Sequence, residues 1–203
     1  MYYLNKKTIK NNKGFTILEV LISVSLLSII GLTAYSFTTE SITNFLHLEE
    51  DGLRLSTITD ESQRIAKVVR GATDVSTATY TTLSINGYFS PGDAYVSKID
   101  YYKSSDGKSL LADVTPYNVN PPIGSLVTAS KKTYTIIDNF YTPATVNTFT
   151  YLDSAGGILS MPITELRTIY GIRVSLSVKT TTNSTSFSTI SLDVSLRNRK
   201  TNL

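Results

Sequence analysis

One carboxylate, Glu19, interrupts a run that is otherwise free of charge from residue 15 to residue 37. Four lysines, Lys6, Lys7, Lys10 and Lys13, stand ahead of that run. About 20 apolar residues suffice to cross the hydrocarbon core of a bilayer, so the run is long enough to span one as a helix. An acid near the middle of such a helix costs on the order of 2.5–3.5 kcal/mol on insertion scales, and less towards its end. Glu19 therefore calls for a compensating partner, and the lysines place the preceding segment on the cytoplasmic side.

Residue pattern alone fits a signal anchor that tolerates an end-of-helix Glu. That leaves open a non-polymerising exported binding protein or adhesin. The segment Lys13-Gly14-Phe15-Thr16-Ile17-Leu18-Glu19-Val20-Leu21, however, closely resembles the processing site of type IV prepilins and pseudopilins, where Gly, Phe and Glu fall at fixed spacing. The resemblance implies that a prepilin peptidase/methyltransferase cuts between Gly14 and Phe15 and methylates the new amino group of Phe15. Gly14 has no Cβ to obstruct the peptidase, so a bulky residue there should block cutting. The resemblance further implies that Glu19 pairs with the N-terminal amine of a neighbouring subunit. Pairing and desolvation oppose each other, so Glu19 is expected to set axial register more than bulk stability.

The partners so implied are other pilin or pseudopilin subunits, the processing peptidase, an ATP-driven inner-membrane assembly platform and, before assembly, membrane lipid. The implied location is the inner membrane, single-pass with a cytoplasmic N-terminus and an exported head, and then a pilus or pseudopilus. The expected organisation is a leader at 1–14, a transmembrane and assembly helix at 15–37, an amphipathic continuation at 38–71 and a β-rich head at 72–203.

With 203 residues, 41% hydrophobic and 17% charged, the chain has material for a membrane segment and one modest domain. The net charge of +3 includes the four leader lysines, so without them the balance turns slightly negative. No broad basic face follows, and nucleic-acid binding finds no support in charge. With no cysteine, neither a disulfide nor a thiolate metal site can form. Many type IV pilins close a C-terminal loop with a disulfide, and this chain departs from them there.

Enzymatic readings are weak, and no cofactor is expected. His47 is the only histidine. Ser105-Asp106-Gly107-Lys108 fits S-x-x-K formally but lacks the companion motifs and reads as a hairpin turn. Asp100, Asp106, Asp113 and Asp153 lack the spacing of a Ca²⁺ loop and read as solvated turn residues. The 13 tyrosines suit strands, and equally a carbohydrate-facing surface, because the ring is apolar and its tip polar. Asn183-Ser184-Thr185 is a formal glycosylation sequon in a polar turn.

The fold class read from the chain is α+β: a long N-terminal helix packed on an antiparallel sheet, as in type IV pilins. A helix over 15–70 is expected, with Ile42, Phe45, Leu46 and Leu53 on one apolar side and Leu55, Ile58, Ile65 and Val69 on a rotated one. Arg70 in the last turn, followed by Gly71 at positive φ, would end it. Strands are expected at 80–85, 94–103, 108–114, 133–138 and 146–152, with breakers at Asn86-Gly87 and 153–157 and a loop at 116–123. Alternation at Ile172, Val174, Leu176 and Val178, then at Ile190, Leu192, Val194 and Leu196, predicts a hairpin joined through 181–186, with one face buried against the helix. This ending, with Leu196-Arg197-Asn198 and Phe149-x-Tyr151-x-Asp153, is similar in layout over about residues 95–198 to W-type minor pilins and J-type minor pseudopilins.

Overall fold

The computed structural model describes residues 14–179 and 187–197. The leader lysines, the link at 181–186 with Asn183, and Asn198 lie outside the described residues. The chain divides into two compact units, 1–48 and 49–203. One helix, α1 (Ile17–Arg70), supplies the described secondary structure of the first unit and continues into the second.

Serine and threonine in the apolar part of α1 do not break it, because their hydroxyls donate back along the helix. Ser23 bonds the Glu19 carbonyl at 2.7 Å, Ser25 that of Leu21 at 2.9 Å and Ser28 that of Val24 at 2.8 Å. Such bonding keeps polar side chains satisfied where no water can reach them. Glu19 has no equivalent route.

Only the last turns of α1 enter the core. Ile58, Ser62, Ile65, Ala66, Val68 and Val69 are buried, at the spacing of one helical stripe. Ile42, Phe45, Leu46 and Leu53 are exposed, and Leu55 is 43% exposed, so the first expected stripe and the start of the second are not part of the buried core. The end of the helix also corrects the sequence reading. Gly71 does not adopt positive φ. Its N–H is shared between the Lys67 and Val68 carbonyls at 3.2 and 3.1 Å, and Thr73 then donates to Asn86 at 2.7 Å. A tightened last turn feeds straight into sheet pairing, so no left-handed residue is needed.

Among the described residues, eight strands follow in two antiparallel sheets. The first is a meander in sequence order: β1 (Asp74–Ala78), β2 (Leu83–Gly87), β3 (Ser97–Lys103), β4 (Leu110–Pro116) and β5 (Lys132–Ile137). The second contains β6 (Phe149–Leu152), β7 (Gly171–Lys179) and β8 (Phe187–Ser195), with β7 central. The α+β class holds, with the strands shared between two sheets instead of forming one. Ile85 opposite Ile99, Tyr101 opposite Ala112, and Phe149 opposite Val174 bring large and small apolar residues together. With Ile58, Ile65 and Val69 of α1 they form one core cluster.

β1 carries no strong apolar alternation and was not expected as a separate strand. Asn86 and Gly87 do not break the chain: they pair with Lys98 and Ser97 inside β2. A Cβ on Gly87 would meet the Ala72 Cα at 3.4 Å and the Val68 carbonyl at 3.6 Å, so glycine there permits the strand to pass close to the helix end. The reversal lies at Thr79–Thr82, where the Thr79 hydroxyl accepts the Thr82 N–H at 2.8 Å. The expected Asp-Gly hairpin is present, with Gly107 at φ 73°.

β7 is buried on more than the expected face. Ser175 and Ser177 are only 6% and 2% exposed, because β7 is flanked on both sides. Their hydroxyls pair with Ser191 at 2.8 Å and Thr189 at 2.7 Å, which removes the cost of burying them. Between the sheets, the Tyr151 hydroxyl stands 2.9 Å from the Thr79 carbonyl and 3.1 Å from that of Thr82, while Phe149 donates to Tyr80 at 3.1 Å. Burial pushes the Tyr151 phenol well above its ordinary range.

Candidate processing and assembly site

Gly14, Phe15 and Thr16 lie in non-helical backbone directly before α1. A Cβ on Gly14 would have nothing within 4 Å, and Phe15 is 79% exposed. Thr16 is the N-cap. Its hydroxyl accepts the Glu19 N–H at 3.2 Å, and its carbonyl accepts from Glu19 and Val20 at 3.0 and 3.2 Å. Glu19 is therefore the third residue of the helix, where its negative charge faces the unsatisfied N–H groups and the positive end of the helix dipole.

Thr16 is the residue that the sequence reading passed over. Thr16-Ile17-Leu18-Glu19 has the T-x-x-E form of a capping box, a local signal that marks where the helix begins. The cap places two features of the motif on either side of a conformational boundary. Gly14-Phe15 is open backbone, and Glu19 rides on a rigid first turn. No protein group within the described residues partners the Glu19 carboxylate. Its neighbours Ile17, Leu18, Val20 and Leu21 are exposed apolar residues.

Residues 9–35 match the family model of the prokaryotic N-terminal methylation motif. The chain carries the type IV pilin/pseudopilin signature. No curated protein matches the chain. The motif implies processing by a prepilin peptidase and assembly with other pilins, and the family it marks is structural, not enzymatic. Because α1 is also long and apolar enough to cross a bilayer, this pilin-like chain is a membrane-anchored, single-pass protein.

The other sequence candidates stay apart from this site. His47 is exposed on α1. Ser104 and Asp106 close the β3–β4 turn, the Ser104 hydroxyl donating to Asp106 at 2.6 Å, so the S-x-x-K segment is a hairpin. Hydrogen bonds from Ser104 and from the Lys108 N–H hold the Asp106 carboxyl below its ordinary value. Asp153 organises its own turn by accepting the Ala155 and Gly157 N–H groups, each at 2.8 Å.

Asp100 and Asp113 are strand residues, not solvated turn residues. They lie directly opposite each other on β3 and β4, a like-charge pairing that needs cations. Lys98 stands 3.3 Å from Asp100, and Lys131 2.6 Å from Asp113. Asp113 also accepts from Thr133 at 2.6 Å and Tyr102 at 3.1 Å. Burial disfavours its charge, but the bonds from Lys131, Thr133 and Tyr102 together outweigh that and hold its carboxyl below the usual range. Among the described residues no three His, Cys, Asp or Glu side chains gather as metal ligands would.

Proposed function

We propose that the chain is a type IV pilin-like structural subunit, a minor pilin or pseudopilin, that acts by assembling through its N-terminal helix. Residues 1–14 are its leader, 15–37 its transmembrane and assembly helix, 38–71 the amphipathic continuation and 72–203 the exported head. Prepilin peptidase cuts between Gly14 and Phe15, and the new Phe15 amine is methylated. Glu19 then finds its partner in the ammonium at the tip of a neighbouring subunit, and the pair fixes axial register. An assembly platform in the inner membrane extracts the processed subunit into a pilus or pseudopilus.

The observation that carries this reading is the position of Glu19: an unpartnered acid in the first turn of an apolar helix, four residues after Phe15, within a matched methylation motif. The long exposed apolar stretch of α1, including Ile42, Phe45 and Leu46, adds a surface that neighbouring helices would cover. Mass spectrometry of the protein from its native membrane tests the reading. The expected mature chain begins at methylated Phe15. An intact leader on all of the stable protein would refute it and favour a non-polymerising, signal-anchored binding protein.

A further inference from the structure

The tyrosine-rich head holds a cavity that processing and assembly leave unused. It has a volume of about 380 Å³ and opens where Arg54 of α1, Lys108 of the β3–β4 turn, Asn139, Phe140 and Tyr141 after β5, and Lys179 at the end of β7 converge. No carboxylate lines it. Arg54 is already engaged: it donates to the Lys179 carbonyl at 3.0 Å and to the Glu50 carboxylate. Lys108 and Lys179 have no carboxylate at ion-pair distance among the described residues. The Lys179 ammonium stands 5.2 Å over the Tyr141 ring.

Two neutral polar groups complete the wall. Neither the Asn139 amide nor the Tyr141 hydroxyl has a hydrogen-bond partner among the described residues. Asn139 is also the one non-glycine residue among them at positive φ, 55°, a left-handed conformation that asparagine adopts readily. The base is rigid: Phe140 is 5% exposed, its N–H bonds the Lys108 carbonyl at 2.7 Å, and the Tyr141 N–H bonds the Ser177 carbonyl at 2.9 Å.

These groups define a ligand chemistry. Two ammonium groups with no carboxylate at ion-pair distance among the described residues suit an anion. An idle amide and phenol suit hydroxyl groups, which can both donate and accept. The volume falls in the range of roughly 300–1,000 Å³ usual for small-molecule sites. With the Arg54 fork occupied, the bidentate grip that favours phosphate is not on offer, and the lysines act as point charges towards a carboxylate. We propose that this cavity binds one acidic sugar unit, a uronate, with its carboxylate on Lys108 and Lys179 and its hydroxyls on Asn139 and Tyr141.

Titration of ¹⁵N-labelled full-length protein in detergent micelles with D-galacturonate, D-galactose and acetate tests the site. Saturable galacturonate shifts at the Lys108, Asn139 and Tyr141 amides are expected, with galactose at least about tenfold weaker for want of a charge-assisted hydrogen bond and acetate about tenfold weaker for want of the two neutral hydroxyl contacts. Lys108→Gln and Lys179→Gln should each weaken galacturonate by about tenfold. Tyr141→Phe should weaken galacturonate but leave acetate unchanged. Absence of saturable galacturonate binding, equal binding of galactose or acetate, or unchanged affinity in folded variants would each overturn the proposal. Should a variant fail to fold, the wild-type titration and its map of shifted amides decide alone.

Discussion

The Thr16 hydroxyl accepts the backbone N–H of Glu19 at 3.2 Å, so the residue that starts the helix also fixes where its acid sits. A cap of this kind is worth about 1 kcal/mol. Thr16→Ala should therefore fray the first turn, raising amide exchange at Ile17, Leu18 and Glu19 in micelles, whereas Thr16→Ser should leave it near wild type. Unchanged exchange in Thr16→Ala would show that the cap does not hold this turn.

Glu19→Gln separates assembly from folding. Glu19 is not among the core residues, so thermal unfolding in micelles should match wild type, while incorporation into filaments should fall steeply because the amide carries no charge for an incoming ammonium. Equal incorporation of the two proteins, measured by quantitative mass spectrometry of sheared filaments, would remove the register role.

Ile58 is completely buried, and Leu53, five residues earlier, is 65% exposed. Ile58→Ala should cost about 2–5 kcal/mol in urea unfolding of the full-length protein, and Leu53→Ala less than about 0.5 kcal/mol. The same two substitutions should reverse their ranking in assembly if the exposed stretch of α1 is an intersubunit surface. The urea midpoints and the filament yields are the two readouts.

Tyr151→Phe keeps the ring and deletes the hydroxyl that reaches Thr79 and Thr82 across the sheets. The expected loss is about 1–1.5 kcal/mol. For a domain of this size that lowers the midpoint by about 2–6 °C. A larger fall would mean that the ring, not the hydrogen bond, had been disturbed.

Acid should expose the Asp113 network. Its folded pKa lies below the ordinary value of 3.8, so its contribution is present above that value and is lost as pH falls through the folded pKa. Lys131 is shifted the other way, upward from 10.5, chiefly by its hydrogen bond to Asp113, and its contribution fades as pH rises through that higher value. Asp113→Asn should lower stability between about pH 4 and pH 10 and flatten the acid limb of the unfolding profile. By contrast, Asp193 is held low by Arg173 at 2.6 Å, but it is 52% exposed, and Arg173→Ala should cost no more than about 1 kcal/mol.

Local chemistry was sufficient for several features. The charge-free run, the spacing of Gly14, Phe15 and Glu19, the Asp106-Gly107 turn and the alternation of β7 and β8 were legible because each depends on residues close in sequence. Other features depended on what distant residues supplied. Asn86-Gly87 looked like a breaker, yet it is held in β2 by β3 on one side and the helix end on the other. Ser175 and Ser177 looked like an outer face, yet their partners on β8 let them be buried. Ile42 to Leu53 looked like a core stripe, but apolar periodicity states only that a face will seek cover, not which surface provides it. The cavity between Arg54, Lys108, Tyr141 and Lys179 draws on segments up to 125 residues apart, and no local pattern announces it.

The amino-acid order by itself determined the membrane helix, its misplaced acid and the processing motif, because charge, hydropathy and fixed short spacing are properties of contiguous residues. Tertiary structure alone decided where the core begins on α1, how the strands divide into two sheets and which polar groups are left without partners. Those outcomes depend on side chains brought together across long stretches of chain, where burial and hydrogen bonding are settled jointly.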